Sequence, residues 1–95
     1  AASKAGLEGL TRVAAREGTS REVRVNCVAA ALVDTPMASR ALTDPHIVAR
    51  LPELQPLGGR ALSPDEVAGV VSWLVSDDAA PVTGACIPAD RGWML

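Results

Sequence analysis

The stretch from Val23 to Val33 reads VRVNCVAAALV. It is a short, nearly continuous apolar run that is rich in β-branched residues. Such a run predicts a strand that is buried on both faces of a parallel sheet. Asp34-Thr35-Pro36 follows directly, and this order predicts a cap and then a proline in a first helical turn.

The segment before this strand predicts a helix. Ser3 to Glu17 is rich in Ala, Leu, Lys, Arg and Glu, its apolar residues recur at helical spacing, and Gly18 follows as a stop signal. Gly6 and Gly9 lie inside this helix. Because glycine lowers helix stability, we expect another element to pack closely against them.

The clearest local signal is Ser63-Pro64-Asp65-Glu66. Ser63 is a good N-cap, proline suits the first helical position, and Glu66 completes a capping box. The helix that follows is expected to end between Ser76 and Asp78, since its apolar stripe stops there.

Val82 to Ala89 predicts a final short strand. Pro88 has no N–H to donate, which places this strand at a sheet edge. The order of helix, strand, loop, capped helix and edge strand predicts an α/β fold with a parallel sheet and right-handed crossovers. Two strands alone leave such a sheet incomplete.

Residues 38 to 62 show no strong periodicity. Pro45, Pro52 and Pro56 are expected to interrupt any long helix there, and Gly58-Gly59 marks a turn. An irregular segment of this length is typical of a lid or a binding loop.

Composition excludes several classes of function. The chain has 95 residues, a formal net charge of −2 and no Lys/Arg cluster, which argues against a nucleic-acid partner and against a basic membrane-surface helix. No apolar run approaches the length that spans a bilayer, and no signal peptide is visible at the N-terminus. A cytoplasmic location is therefore expected.

Cysteine, histidine and asparagine are the residue types that could form a further chemical site. Cys27 and Cys86 lie in strand-like apolar runs, and two buried reduced thiols are favoured over a disulfide or a catalytic pair. A metal site is not expected, because His46 is the only histidine. Asn26, inside the predicted strand, needs hydrogen-bond partners, and a structural role is favoured over a catalytic one.

Five motifs, in this order along the chain, resemble the short-chain dehydrogenase/reductase family. Ala2-Ser3-Lys4-Ala5 is similar to the end of its Tyr-x-x-x-Lys motif. Val25 to Ala29 and Asp34 to Met37 are similar to the next strand and the cofactor loop after it. Pro56-Leu57-Gly58 with Pro64 to Ala68 resembles the opening of the last major helix.

The remaining motifs resemble the C-terminal strand and tail of the family: Ser76-Asp77-Asp78, Val82-Thr83-Gly84 and Asp90-Arg91-Gly92-Trp93. The resemblance implies that residues 1–95 are the C-terminal part of a single NAD(P)-binding domain with a Rossmann-like, doubly wound parallel sheet. It also implies that residues 38–62 form the substrate lid.

The resemblance further implies an activity. The complete enzyme would use NAD or NADP to transfer a hydride between nicotinamide and a small-molecule alcohol or ketone, and it would form a homo-oligomer. In the family pattern the catalytic tyrosine would stand just before Ala1, and the chain contains no tyrosine. The serine and the Gly-rich phosphate loop lie further upstream in the family. The 95 residues alone are therefore expected to be inactive.

Three site residues are carried over from the family. Lys4 is the catalytic lysine, which would bind the nicotinamide ribose and lower the pKa of the tyrosine. Val33 would offer backbone groups to the cofactor carboxamide, and Thr35 would contact the carboxamide or the phosphates. Without the resemblance, Lys4 is a solvated lysine, Val33 a strand end and Thr35 a helix cap.

The chain departs from the family at two positions that bear on the site. Ala30-Ala31 replaces Pro-Gly, which puts the geometry of the cofactor loop in doubt because alanine restricts the backbone. Arg91 stands where a glycine is common. The alternative reading is a truncated, non-enzymatic module that oligomerises with itself or with a full-length relative.

Overall fold

A computed structural model describes residues 2–95, and Ala1 lies outside the described residues. The regular elements, in chain order, are α1 (Ala2–Gly18), a 3₁₀ turn (Thr19–Arg21), β1 (Cys27–Ala30), a 3₁₀ turn (Pro36–Ala38), α2 (Ser39–Leu42), α3 (Pro45–Leu54), α4 (Pro64–Leu74), a 3₁₀ turn (Asp77–Ala79) and β2 (Cys86–Ala89). β1 and β2 pair side by side in a parallel two-stranded sheet. The α/β class is thereby confirmed.

The chain divides into two compact units. The first contains residues 1–29 and 71–87, and the second contains residues 30–70 and 88–95. Each unit is built from segments that are distant in the sequence, so contacts between early and late residues hold each of them together.

Helix α1, in the first unit, confirms the predicted helix at almost its predicted length. Its buried residues are Thr11 and Ala15, whereas Leu10 is 63% exposed. A Cβ atom built at Gly6 or at Gly9 meets no atom within 4 Å. Residues 2–95 therefore supply no closely packed neighbour at these glycines, and the expectation of one stays a prediction.

Strand β1 is shorter than predicted. It covers Cys27–Ala30, and all four residues are half-buried rather than buried on both faces. The segment before it has mixed pairing and no continuous ladder. The N–H of Val25 donates to Oγ1 of Thr83 at 3.1 Å, whereas the Val25 carbonyl accepts from the N–H of Gly84 at 2.7 Å.

Asn26 has the structural role that was predicted. Its Nδ2 donates to the Val82 carbonyl at 3.0 Å, and its Oδ1 accepts from the N–H of Ala85 at 3.0 Å. One side chain thus pairs with two main-chain groups of the segment that precedes β2. These two hydrogen bonds tie that segment to the residue just before β1.

The expected irregular segment contains a ten-residue helix, α3, so the interpretation of its prolines was partly wrong. Pro45 occupies the first helical position, where no N–H is needed, and Asp44 caps the helix by accepting from the N–H of His46 at 2.9 Å. Pro52 lies inside the helix. Its missing N–H falls in the last turn, and the helix ends at Leu54.

Helix α4 begins as predicted. The N–H of Glu66 donates to Oγ of Ser63 at 3.1 Å, and Oε1 of Glu66 accepts from the N–H of Ser63 at 2.9 Å. This is the reciprocal capping box. The helix ends at Leu74, two residues before the predicted range, and a 3₁₀ turn at Asp77–Ala79 follows.

None of the helices in residues 2–95 is long and apolar enough to cross a membrane. Over the same residues, no three or more His, Cys, Asp or Glu side chains are grouped so that they could hold a metal ion.

Candidate functional site

Val33 lies in an isolated parallel bridge with Leu62, in the second unit. The N–H of Leu62 donates to the Leu32 carbonyl at 2.9 Å, and the N–H of Asp34 donates to the Leu62 carbonyl at 2.8 Å. In a parallel ladder, successive residues direct their N–H and C=O groups to opposite sides. The N–H and C=O of Val33 therefore point away from Leu62, toward the other side of this segment.

Gln55 holds the residue next to Val33 in place. Its side chain is fully buried. Its Oε1 accepts from the N–H of Leu32 at 2.7 Å, and its Nε2 donates to the Arg60 carbonyl at 2.8 Å. Gln55 thus pairs two main-chain groups in a half-buried part of the second unit. Sequence reasoning missed this residue, because nothing local marks a contact between positions 23 residues apart.

Thr35 forms the cap that its alternative interpretation predicted. It precedes the 3₁₀ turn Pro36–Ala38, and its Oγ1 accepts from the N–H of Ala38 at 3.3 Å. A threonine hydroxyl can also donate one hydrogen bond. No acceptor within residues 2–95 takes that hydrogen, so the capping role leaves a donor for a ligand.

Ala30-Ala31 does not distort the segment that leads to Val33. Glu22 and Arg91 are the non-glycine residues with positive φ among residues 2–95. Both alanines therefore have ordinary backbone conformations, and the glycine freedom that they lack is not used here.

Lys4 lies in the first turn of α1, in the first unit, and its side chain is exposed. The ion pairs formed within residues 2–95 do not include it. Lys4 therefore presents an ammonium group to its surroundings without a carboxylate partner. Val33 and Thr35 share one short segment of the second unit, whereas Lys4 belongs to the first.

Arg91 is a second feature of the second unit that the sequence did not explain. Its φ is 51°, in the left-handed region that favours glycine. Nη1 donates to the Leu57 carbonyl at 2.6 Å, and Nη2 forms an ion pair with Oε2 of Glu66. The guanidinium therefore ties the C-terminal tail to the Leu57 turn and to the start of α4.

The same ion pair changes the titration of Glu66. Hydrogen bonding with Arg91 and with the Ser63 backbone lowers the pKa of Glu66 from 4.5 to about 2. A carboxyl that pairs with a cation and accepts a backbone N–H is stabilised in its charged form. Glu66 therefore stays ionised over almost the whole acidic range.

An open groove of about 580 Å³ lies elsewhere in the first unit. It is lined by Glu22, Arg24, Val25, Asn26, Val28, Val71, Leu74 and Val75. None of the predicted site residues lines it, and the Arg24 guanidinium beside it donates to the Val82 and Ser76 carbonyls at 3.2 and 3.3 Å. The groove therefore adds nothing to the candidate cofactor segment.

Comparison with known proteins identifies the class. A family profile described as Enoyl-(Acyl carrier protein) reductase matches residues 1–94. The chain belongs to the short-chain dehydrogenase/reductase family. The resemblance in the sequence motifs is thereby confirmed.

Among individual proteins, the chain is similar to the 3-oxoacyl-(acyl-carrier-protein) reductase FabG of Pseudomonas aeruginosa, with 49% identity over all 95 residues, which are 37% of that protein. It is 39% identical over all 95 residues to the 3beta-hydroxysteroid dehydrogenase 1 of Eggerthella lenta and covers 36% of it. The solved 4-hydroxyisoleucine dehydrogenase complexed with NADH superimposes with a TM-score of 0.91 at 27% identity, over 97% of this chain and 37% of that one. The chain thus spans little more than a third of these relatives.

Proposed function

We propose that residues 1–95 are the C-terminal part of an NAD(P)-dependent oxidoreductase that acts on an alcohol or a ketone. The observation that carries this proposal is the Val33–Leu62 bridge, which leaves the N–H and C=O of Val33 facing away from their neighbour. An adjacent donor and acceptor complement a primary carboxamide, which carries one acceptor and two donors.

Three residues would each contact a nicotinamide cofactor in the complete enzyme. The N–H of Val33 would donate to the carboxamide oxygen, and its carbonyl would accept from the carboxamide nitrogen. The free hydroxyl hydrogen of Thr35 would donate to the carboxamide or to a phosphate. The unpaired ammonium of Lys4 would hold the ribose hydroxyls. The bound nicotinamide supplies or accepts the hydride, and these residues orient it.

Lys4 would also act electrostatically. A cation close to a phenol favours the phenolate and so lowers the pKa of the phenol. In the complete enzyme this would let the upstream tyrosine exchange a proton with the substrate oxygen near neutral pH. The exposed, unpaired state of Lys4 supports this role, because no carboxylate of the described residues neutralises it.

We infer a lipophilic substrate class from residues 38–62 and the residues beside them. Met37, just before this segment, is 96% exposed, and Leu57, inside it, is 71% exposed, so both apolar side chains are uncovered. Leu51, by contrast, is buried within it. FabG acts on a 3-oxoacyl group and another relative is a 3beta-hydroxysteroid dehydrogenase, and both substrates are lipophilic.

The experiment is a chimera in which these 95 residues replace the matching 95 residues of the Pseudomonas aeruginosa FabG. We expect it to reduce a 3-oxoacyl substrate with NADH or NADPH, followed by nicotinamide absorbance. Lys4→Ala should lower kcat/KM about 100-fold, as when one electrostatic contact to the reacting groups is removed. Arg12→Ala, an exposed cation on the same helix, is the matched control and should leave the rate unchanged.

Two results would contradict the proposal. A folded chimera without turnover would show that this segment does not carry the family's groups. Equal losses for Lys4→Ala and Arg12→Ala would reduce Lys4 to a solvated lysine. The 95 residues alone should show no turnover, and measurable NAD(P)H oxidation by them would refute that expectation.

A second candidate is a non-enzymatic module that pairs with itself or with a longer relative. It is favoured by the uncovered surface of α1, where Leu10 is 63% exposed and nothing within residues 2–95 lies near a Cβ atom at Gly6. Light scattering on the chain distinguishes the candidates: a compact monomer at micromolar concentration excludes a module that pairs with itself.

We propose that the whole protein is a cytoplasmic homo-oligomer without nucleic-acid or membrane partners. Cell fractionation tests its location.

A further inference from the structure

Cys27 and Cys86 are the first residues of two adjacent parallel strands of equal length. The N–H of Cys27 donates to the Ala85 carbonyl at 2.9 Å. In a parallel ladder, a residue that donates to position j−1 lies opposite position j. Cys27 is therefore paired with Cys86, and their side chains leave the same face of the sheet.

This pairing gives the two thiols a separation that a disulfide can span. Neighbouring strands lie about 4.8 Å apart, and the Cα atoms of disulfide-bonded cysteines are usually about 4.4–6.8 Å apart. Both cysteines are free thiols and half-buried rather than buried, so the reading of two buried thiols is corrected. No strand needs to change its register for the two sulfurs to bond.

Glu8 of α1 adds a third group to this pair. The Cys86 thiol donates to Oε1 of Glu8, with an Sγ–O distance of 3.5 Å. Hydrogen bonding with Cys27, loss of solvation and the Glu8 carboxylate together raise the pKa of Cys86 from 9.0 to about 12. At neutral pH the Cys86 thiol is therefore held in its protonated form.

We propose that Cys27 and Cys86 form a modification site, a dithiol that hydroperoxides convert into a disulfide within one chain. The geometry of the sheet carries the proposal, since the register brings together two cysteines that are 59 positions apart. It is independent of the nicotinamide site, because all three groups lie in the first unit and none of them is a proposed cofactor contact.

The reaction takes place in two steps. The Cys27 sulfur attacks one peroxide oxygen, the O–O bond breaks, and Cys27 sulfenic acid and one water are formed. Cys86 then loses its proton and attacks Sγ of Cys27 as the thiolate, the S–S bond forms and the S–O bond breaks. The hydroxide that leaves combines with the Cys86 proton as a second water. The two thiols lose two electrons, and the peroxide is reduced to two waters.

The test treats the reduced 95-residue chain with hydrogen peroxide, blocks the remaining thiols by alkylation and measures intact mass. The chain contains only these two cysteines, so a monomer that has lost two hydrogens carries the Cys27–Cys86 disulfide. We expect this species to be the main product in buffer, and its yield relative to disulfide-linked dimers to fall about tenfold in concentrated guanidinium chloride, where the effective concentration of the thiols is that of a flexible loop. Disulfide-linked dimers only in buffer, or the same ratio in both solvents, would overturn the proposal.

Two variants sharpen the test. Cys86→Ser should stop at the Cys27 sulfenic acid, which dimedone traps, and failure to trap it would contradict the first step. Glu8→Gln should shift the alkylation profile of Cys86 to lower pH, because the carboxylate that stabilises the protonated thiol is gone. Glu17→Gln, an exposed carboxylate of the same helix, is the matched control. An unchanged Glu8→Gln profile would contradict the Cys86–Glu8 hydrogen bond.

Discussion

The side chain of Gln55 and the main chain of Leu32 are joined by a 2.7 Å hydrogen bond in which the N–H of Leu32 donates to Oε1. The amide group of Gln55 also donates to the Arg60 carbonyl. A fully buried side chain thus connects the end of α3 to the residue beside Val33. The backbone groups proposed to face the cofactor are held by this amide.

Replacing Gln55 with leucine should destabilise the chain by roughly 2 to 4 kcal/mol. The substitution leaves the Leu32 N–H and the Arg60 carbonyl without these partners. Because both lie in a half-buried region, each costs about 1–2 kcal/mol, the lower part of the range for an unpaired buried group. Urea denaturation followed by circular dichroism measures the change. Glu53→Leu, at an exposed position of α3, is the control and should stay within about 0.5 kcal/mol. Equal effects would mean that the hydrogen bonds of Gln55 are dispensable.

Stability should fall in acid because of Glu66. Its pKa is about 2 in the folded chain against 4.5 for the ordinary group, so the folded state favours the charged form. The contribution of Glu66 is therefore complete above pH 4.5 and is lost as the pH falls toward 2. Thermal unfolding across this range should show a steeper loss for the natural chain than for Glu66→Gln. Parallel profiles would show that the Arg91 ion pair is not formed in solution.

Two glycine substitutions should change stability in opposite directions. Gly69 lies in α4, and a Cβ atom there meets nothing within 4 Å, so Gly69→Ala should stabilise by about 0.5–1 kcal/mol. Gly58 has φ +88°, and a Cβ atom there would come within 2.5 Å of Nη1 of Arg91. Gly58→Ala should destabilise by at least about 1 kcal/mol. Both values come from chemical denaturation, and the same sign for both would contradict the backbone assignment.

The capping box at the start of α4 should contribute about 1 kcal/mol to the free energy of unfolding. Ser63→Ala removes the oxygen that accepts from the N–H of Glu66, and loss of an N-cap costs about 0.5–2 kcal/mol. Ser72→Ala makes the same chemical change at an exposed position inside α4. It should be neutral or slightly stabilising, because alanine favours helices. The difference between the urea midpoints of the two variants measures the contribution of the cap. Equal midpoints would refute the stabilising role of Ser63.

Thr35 should affect cofactor binding more than turnover. In the FabG chimera, Thr35→Val removes the whole hydroxyl, both the hydrogen for the cofactor and the oxygen that accepts from Ala38, and KM for the cofactor should rise about tenfold, the equivalent of one hydrogen bond. Thr35→Ser keeps the hydroxyl and should restore the original KM. If serine and valine give the same KM, the hydroxyl of Thr35 does not bind the cofactor.

Features that depend on neighbouring residues could be predicted from the sequence. The capping box of Ser63, the turn at Gly58-Gly59 and helix α1 rest on local hydrogen bonds and local backbone preferences, and the structure has all three. Helix α3 was missed because its prolines were treated as breakers, although Pro45 stands at the one helical position that suits proline.

Features that depend on register or long-range contacts could not be predicted. Gln55 lies 23 positions from Leu32, and Cys27 lies 59 positions from Cys86, so no local pattern identifies either pair. Arg91 in a left-handed conformation is understandable only when the Glu66 ion pair is known. The site residues Lys4, Val33 and Thr35 came from the family motifs, and the structure adds which of their groups are free.

The orientation of Val33 in its bridge with Leu62 has a consequence for mutagenesis. A ligand that binds the main chain at this position is indifferent to the side chain that the residue carries. Replacement by alanine or isoleucine would change packing and leave the N–H and C=O where they are. An alanine scan would therefore not identify Val33 as a binding residue. Among the natural amino acids, only proline deletes the donor itself, and over generations this position is free to vary among ordinary apolar residues without loss of recognition.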